Sequence, residues 1–84
     1  MFATLKTPVF LDSVVLEFSH PAADPIRAVL RDETGIVCSS LHAEVPRGLT
    51  SYRWNGLSDL PYGRYTLEIL LGEEAQQMKL IKRI

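Results

Sequence analysis

Cysteine occurs once in the 84 residues, at Cys38. A single thiol excludes an internal disulfide framework and any multi-cysteine metal site. An excess of charge is missing as well: nine Lys and Arg against ten Asp and Glu leave a formal net charge of −1. That balance supplies no electrostatic footprint for nucleic acid or an acidic membrane, so no nucleic-acid partner is expected. No apolar run nears the roughly 20 residues that a membrane helix requires. Residues 1–7 (MFATLKT) carry neither the basic head nor the long apolar stretch of a secretory signal. The five glycines fall in separate turns, not in one phosphate-cradling loop. What remains is a chain that is 46% hydrophobic, too apolar for disorder and long enough for one small domain. Its size leaves little room for a deep catalytic cleft, and no enzyme is expected.

Apolar, β-rich runs alternate with turn signals at roughly 8–12-residue spacing, as in a sandwich or barrel. Residues 2–5 read as a short edge strand ended by Lys6-Thr7-Pro8. In residues 13–18 (SVVLEF), Val14, Leu16 and Phe18 share a face. Residues 19–25, with two prolines, form a loop. Residues 26–32 alternate Ile26, Ala28 and Leu30 against Arg27, Val29 and Arg31, then Asp32-Glu33-Thr34-Gly35 turns the chain into a returning strand over 36–43. Pro46-Arg47-Gly48 marks the next turn, and residues 50–55 place Tyr52 and Trp54 on one face. Residues 64–71 form the clearest strand, with Tyr65, Leu67, Ile69 and Leu71 together. Gly72-Glu73-Glu74 turns into a last strand over 76–84, and alternation alone leaves open which face of 78–84 is buried. About seven strands predict an all-β fold: a single immunoglobulin-like antiparallel β-sandwich over residues 1–84.

Side chains that carry chemistry are scattered. Cys38 and His42 on one strand stand about 13 Å apart, too far to share one ion, and His20 lies in a loop. Cys38 reads as a buried or half-buried structural thiol. Asp24 and Asp59 read as turn formers, and the carboxylates show no paired spacing. No metal or cofactor is expected. Tyr52, Trp54, Tyr62 and Tyr65 include two core anchors, Trp54 and Tyr65, and one loop aromatic, Tyr62, expected to be exposed. Lys79, Lys82 and Arg83 make the chain end basic. They read either as solvated guards of an edge strand or as a tag open to strand addition.

Four segments taken in order carry a resemblance. Ala3-Thr4-Leu5-Lys6-Thr7-Pro8-Val9, followed by Ser13-Val14-Val15-Leu16-Glu17-Phe18, resembles the opening of type IX secretion C-terminal sorting domains. Thr7 stands where that opening carries asparagine. Val29-Leu30-Arg31-Asp32-Glu33-Thr34-Gly35-Ile36-Val37 resembles their central Asp-x-x-Gly hairpin. Leu60-Pro61-Tyr62-Gly63-Arg64-Tyr65 resembles their Leu-Pro-x-Gly-x-Tyr motif, and Gln77-Met78-Lys79-Leu80-Ile81-Lys82 their final Lys-apolar-apolar-Lys strand. Tyr52-Arg53-Trp54-Asn55-Gly56 is similar to the Trp-Asx-Gly segment of the immunoglobulin-like domain in flagellar hook-capping proteins.

The resemblance implies a non-catalytic sorting signal at the end of a larger exported protein of the Bacteroidetes type, with a cargo domain preceding residue 1. The implied partners are the type IX outer-membrane translocon and its shuttle and sortase components. The implied route runs through the periplasm to the cell surface or medium. It assigns recognition to Pro8, Asp32, Gly35, Pro61, Gly63, Tyr65, Lys79, Leu80, Ile81 and Lys82. On that reading, charge reversal at Lys79 and Lys82 spares folding and damages recognition. From the residues alone, Pro61 and Gly63 launch strand 64–71, so Gly63→Val destabilises the fold, and the Tyr65 hydroxyl reaches a loop carbonyl as in a tyrosine corner. Exchange of an edge strand between two copies would give a homodimer. The alternatives are an immunoglobulin-like spacer, a carbohydrate-binding accessory domain, or a stand-alone intracellular interaction module.

Overall fold

The computed structural model describes residues 3–19, 25–44 and 50–83. The described residues form eight strands: β1 (Ala3–Leu5), β2 (Val9–Phe10), β3 (Val14–Phe18), β4 (Ile26–Arg31), β5 (Val37–Ala43), β6 (Ser51–Trp54), β7 (Gly63–Leu71) and β8 (Glu74–Lys82). They assemble into a three-stranded sheet, β1-β3-β6, and a five-stranded sheet, β2-β8-β7-β4-β5. This is the expected immunoglobulin-like sandwich. The turn expected at Pro46-Arg47-Gly48 and most of the 19–25 loop, His20 included, lie outside the described residues.

The core follows from period-two patterning. Val14, Leu16 and Phe18 of β3 face Ile26, Ala28 and Leu30 of β4 and Tyr65, Leu67 and Ile69 of β7, all buried. Trp54 of β6 and Leu57 of the following loop complete this layer. Burying these side chains is the main favourable term in the fold.

Eight strands replace the expected seven because the leading segment divides between the sheets. β1 pairs antiparallel with β3, while β2 runs parallel to β8, with Val9 opposite Ile81 and Phe10 opposite Lys82. Pro8, which has no amide hydrogen to give a ladder, stands at the crossing. It still accepts from the Ile81 amide at 2.8 Å, and Phe10 accepts from Arg83 at 2.9 Å. A two-residue strand is too short to show periodicity, so nothing in the sequence marked it. Phe10 anchors it: the ring is buried and meets Tyr65 edge-on at 6.0 Å between centroids. Among the described residues the pairing is therefore antiparallel except at this one short parallel step.

Two further details differ from the expected pattern. The returning strand of the β4–β5 hairpin is not regular: Leu30 pairs with Ser39 and Arg31 with Val37, so Cys38 is the extra residue of a bulge. The last strand starts two residues early, because Leu71 pairs with Glu74 across a two-residue Gly72-Glu73 turn.

The basic-tag reading needs correction at Lys82. β8 turns Met78, Leu80 and Lys82 toward the sandwich and Gln77, Lys79 and Ile81 outward. Lys82 is only 6% exposed, and its Nζ donates to the Arg83 carbonyl at 2.9 Å. Its aliphatic stem packs inward at the rim while the ammonium reaches the backbone. Lys82 is thus neither a solvated edge guard nor an exposed tag, and Leu80 is buried beside it.

Candidate functional site

The C-terminal end of β4, the start of β7 and the end of β8 lie at the same end of the five-stranded sheet. Register makes this so: Arg31 is opposite Thr66, Thr66 opposite Lys79, Arg64 opposite Ile81 and Gly63 opposite Lys82. With Pro8 and β2 set beside the end of β8, four sequence segments that are far apart meet at one end of one sheet.

Each is shaped locally. The β4–β5 turn is organised by Asp32, whose Oδ1 accepts from the Thr34 hydroxyl at 2.6 Å, the Thr34 amide at 2.9 Å and the Ile36 amide at 3.1 Å. The Gly35 amide donates to the Asp32 carbonyl at 3.0 Å, and the chain passes Gly35 at φ 89°, which favours glycine. The Thr34 hydroxyl bond, helped by the backbone amides of the turn, holds the Asp32 carboxyl below its usual range.

The entry to β7 is a tyrosine corner. The Tyr65 hydroxyl donates to the Pro61 carbonyl at 2.6 Å while the ring is buried. Burial raises its pKa, and the neighbouring Cys38 and Asp32 add to the shift. Gly63, at φ 147°, makes the turn between them; a Cβ there would meet nothing within 4 Å, so the demand is conformational and not steric.

Three shallow depressions adjoin one another here. The first, of about 490 Å³, is lined by Pro8, Asp32, Tyr65, Lys79, Leu80 and Ile81 together with Glu33, Arg64 and Thr66. A second of about 570 Å³ adds Tyr62, Gly63 and Lys82, and a third of about 230 Å³ adds Pro61 and Cys38. Glu33 and Arg64 border all three. Of the residues singled out from the sequence, Gly35 alone lines none of them and acts through the turn it permits. Leu80 and Lys82 contribute from below, whereas Lys79 and Ile81 stand outward.

Sequence reasoning passed over Glu33, Arg64 and Thr66. Arg64 occupies the variable place between Gly63 and Tyr65, and its one usable signal was alternation: it faces out because Tyr65 faces in. Tyr62 is exposed as expected, at 70%. Trp54 and Tyr65 are buried and Tyr52 is half-buried, so these aromatics do not form an exposed stacking row. Among the described residues, no three His, Cys, Asp or Glu side chains cluster as metal ligands.

β8 also has an open side. The outward amides of Ile81 and Arg83 are taken by Pro8 and Phe10. β2 covers only Ile81 and Lys82, so among the described residues no strand pairs with the outer side of β8 from Glu74 to Leu80. At its far end the Gln76 side chain clamps β1 by bonding both the amide and the carbonyl of Ala3.

A scan of known family models finds no match to this chain, and a search of curated proteins finds no relative.

Proposed function

We propose that this chain is a non-catalytic sorting module of the type IX kind, read by outer-membrane secretion machinery to carry a cargo protein to the cell surface. The convergence of the four motif segments carries the reading. Pro8, the Asp32 turn, the Pro61-to-Tyr65 corner and Lys79–Ile81 are spread over the whole sequence, yet they border adjoining depressions. A receptor meeting that end of the sandwich touches all four at once. The partly open side of β8 supports the same reading, because an unpaired strand side can accept a strand from a partner. Within the Lys79-to-Lys82 motif, Lys79 and Ile81 face outward, and recognition is assigned to them and not to Lys82.

The test is a secretion assay. Residues 1–84 are fused to a fluorescent protein bearing a periplasmic export signal, in a bacterium with type IX secretion. A twin lacks residues 77–84. Surface or medium fluorescence in the full fusion, lost on Lys79→Glu with the fold intact, establishes the reading. A folded, intact fusion retained in the periplasm overturns it and leaves an accessory sandwich domain.

A further inference from the structure

A sheet ends in strand sides whose amides and carbonyls have no partner, and folded proteins guard them with short strands, bulges or charge. β1 and β6, at the edges of the small sheet, are only three and four residues long, and β5 carries the bulge at Cys38. β8 has neither guard. It pairs with β7 in unbroken register over all nine of its residues, without a bulge or a proline. The amides of Ile81 and Arg83 point away from β7, toward Pro8 and Phe10. By the alternation of a regular strand, the amides and carbonyls of Ala75, Gln77 and Lys79 point the same way. Among the described residues no strand meets them.

This stretch is acidic where it starts and basic where it ends. Glu73 and Glu74 stand at the β7–β8 turn, and Lys79 faces outward further along β8. All three are exposed, and among the described residues the side chains of Glu73 and Lys79 enter no hydrogen bond or ion pair. A strand of this polarity matches a second copy of itself run antiparallel, acidic start against basic end. Pro8 sets the register. β2 runs parallel to β8 with Val9 opposite Ile81, which puts Pro8 beside Leu80 and closes that position to another chain. A pairing centred on Gln76 keeps clear of Pro8. Ala75 of each copy then exchanges both backbone bonds with Gln77 of the other, and Lys79 of each lies beside Glu73 of the other.

We infer that the protein forms a two-fold dimer in which β8 of one copy adds to β8 of the other, joining the two five-stranded sheets edge to edge. No strand leaves its own sheet. Lys79 would guard this edge against an unrelated strand, but a second copy answers it with Glu73. The interface is a single short ladder with exposed charge at both ends, which places it among weak, reversible associations. The dimer stands independently of the sorting reading, since it needs no partner but this chain.

The experiment combines sedimentation equilibrium with amide exchange on the 84-residue protein. Mostly single chains at about 10 μM and mostly pairs at about 1 mM are expected. Over that range the Ala75 and Gln77 amides should slow about fivefold, while those of Gln76 and Met78, already turned toward β7, stay unchanged. Glu73→Lys and Lys79→Glu should each weaken the dimer about fivefold by setting like charges side by side, and the double exchange should restore it to within about twofold. Gln77→Pro removes only an outward amide, so it should abolish the dimer and keep the β7 ladder. If that variant does not fold, the charge variants decide, with amide dispersion confirming their fold. A chain that stays single at about 1 mM overturns the proposal. So does a dimer that leaves the Ala75 and Gln77 amides exchanging freely, whether through strand exchange or another face. A dimer indifferent to both charge reversals, or not restored by the double exchange, overturns it as well.

Discussion

β7 and β8 are neighbours of equal length, nine residues each, paired from end to end, yet they obey different rules. β7 has a strand on both sides, and its inward positions are Tyr65, Leu67 and Ile69, all apolar in body and buried. β8 has β7 on one side and only the short β2 on part of the other. Its inward positions run Gln76, Met78, Leu80 and Lys82, with a polar residue at each end. The middle of β8 lies over the core, but its ends lie at the rim. There a polar head finds backbone: Gln76 at Ala3 and Lys82 at Arg83. Facing inward therefore means apolar in β7 and only paired in β8.

The sharpest way to break this comparison is within β8 itself. Lys82→Glu removes the inward stem and leaves a carboxylate beside a carbonyl, which should cost about 3 kcal/mol. Lys79→Glu, outward on the same strand, should stay within about 0.5 kcal/mol. Urea unfolding of the two variants side by side measures the difference; equal costs would mean that Lys82 does not pack. Lys82→Met keeps the stem and drops the charge, and its stability should stay within about 1 kcal/mol of the parent.

Next in size is the entry to β7. Gly63→Val should cost about 2 kcal/mol, since φ 147° is strained for any side chain. Gly63→Ala should show most of the same loss, because no neighbour clashes with the added carbon. A large gap between the two in thermal melting would point to a steric cause instead. Tyr65→Phe removes only the bond to the Pro61 carbonyl and should cost about 1 kcal/mol. Slowed amide exchange at residues 62–65 in the parent but not in the variant would localise that loss to the corner.

The smallest effect belongs to the β4–β5 turn and depends on pH. The folded Asp32 carboxyl titrates below its unfolded value. Its contribution is therefore fully present above the unfolded value and is lost as pH falls through the lower folded one. Melting temperature should fall less on acidification in Asp32→Asn than in the parent. Identical acid profiles would show that the turn bonds do not favour the ionised form.

The strands over 14–18, 26–31 and 63–71 were legible because each alternates strictly and each is flanked by partners, so burial and pattern agree. The Asp32-to-Gly35 turn and the Tyr65 corner were legible for a second reason. They are local devices, completed by residues within four positions of one another. β2 and the bulge at Cys38 were not, because a two-residue strand has no period and a bulge is defined by its partner strand. Arg64, Thr66 and Glu33 escaped for the same reason: their proximity to Lys79 exists only through register.

By itself, then, the sequence determined an all-β sandwich, its core face, its hairpin turn and the corner that starts β7, since these rest on alternation and on bonds between near neighbours. The tertiary structure decided that β2 runs parallel beside β8, that Lys82 turns inward while Lys79 turns outward, and that Arg31, Arg64, Glu68 and Lys79 share one outer face around Thr66. A strand's two faces are equivalent until a second sheet covers one of them. Which lysine is buried, and which charges become neighbours, was settled only when the sandwich closed.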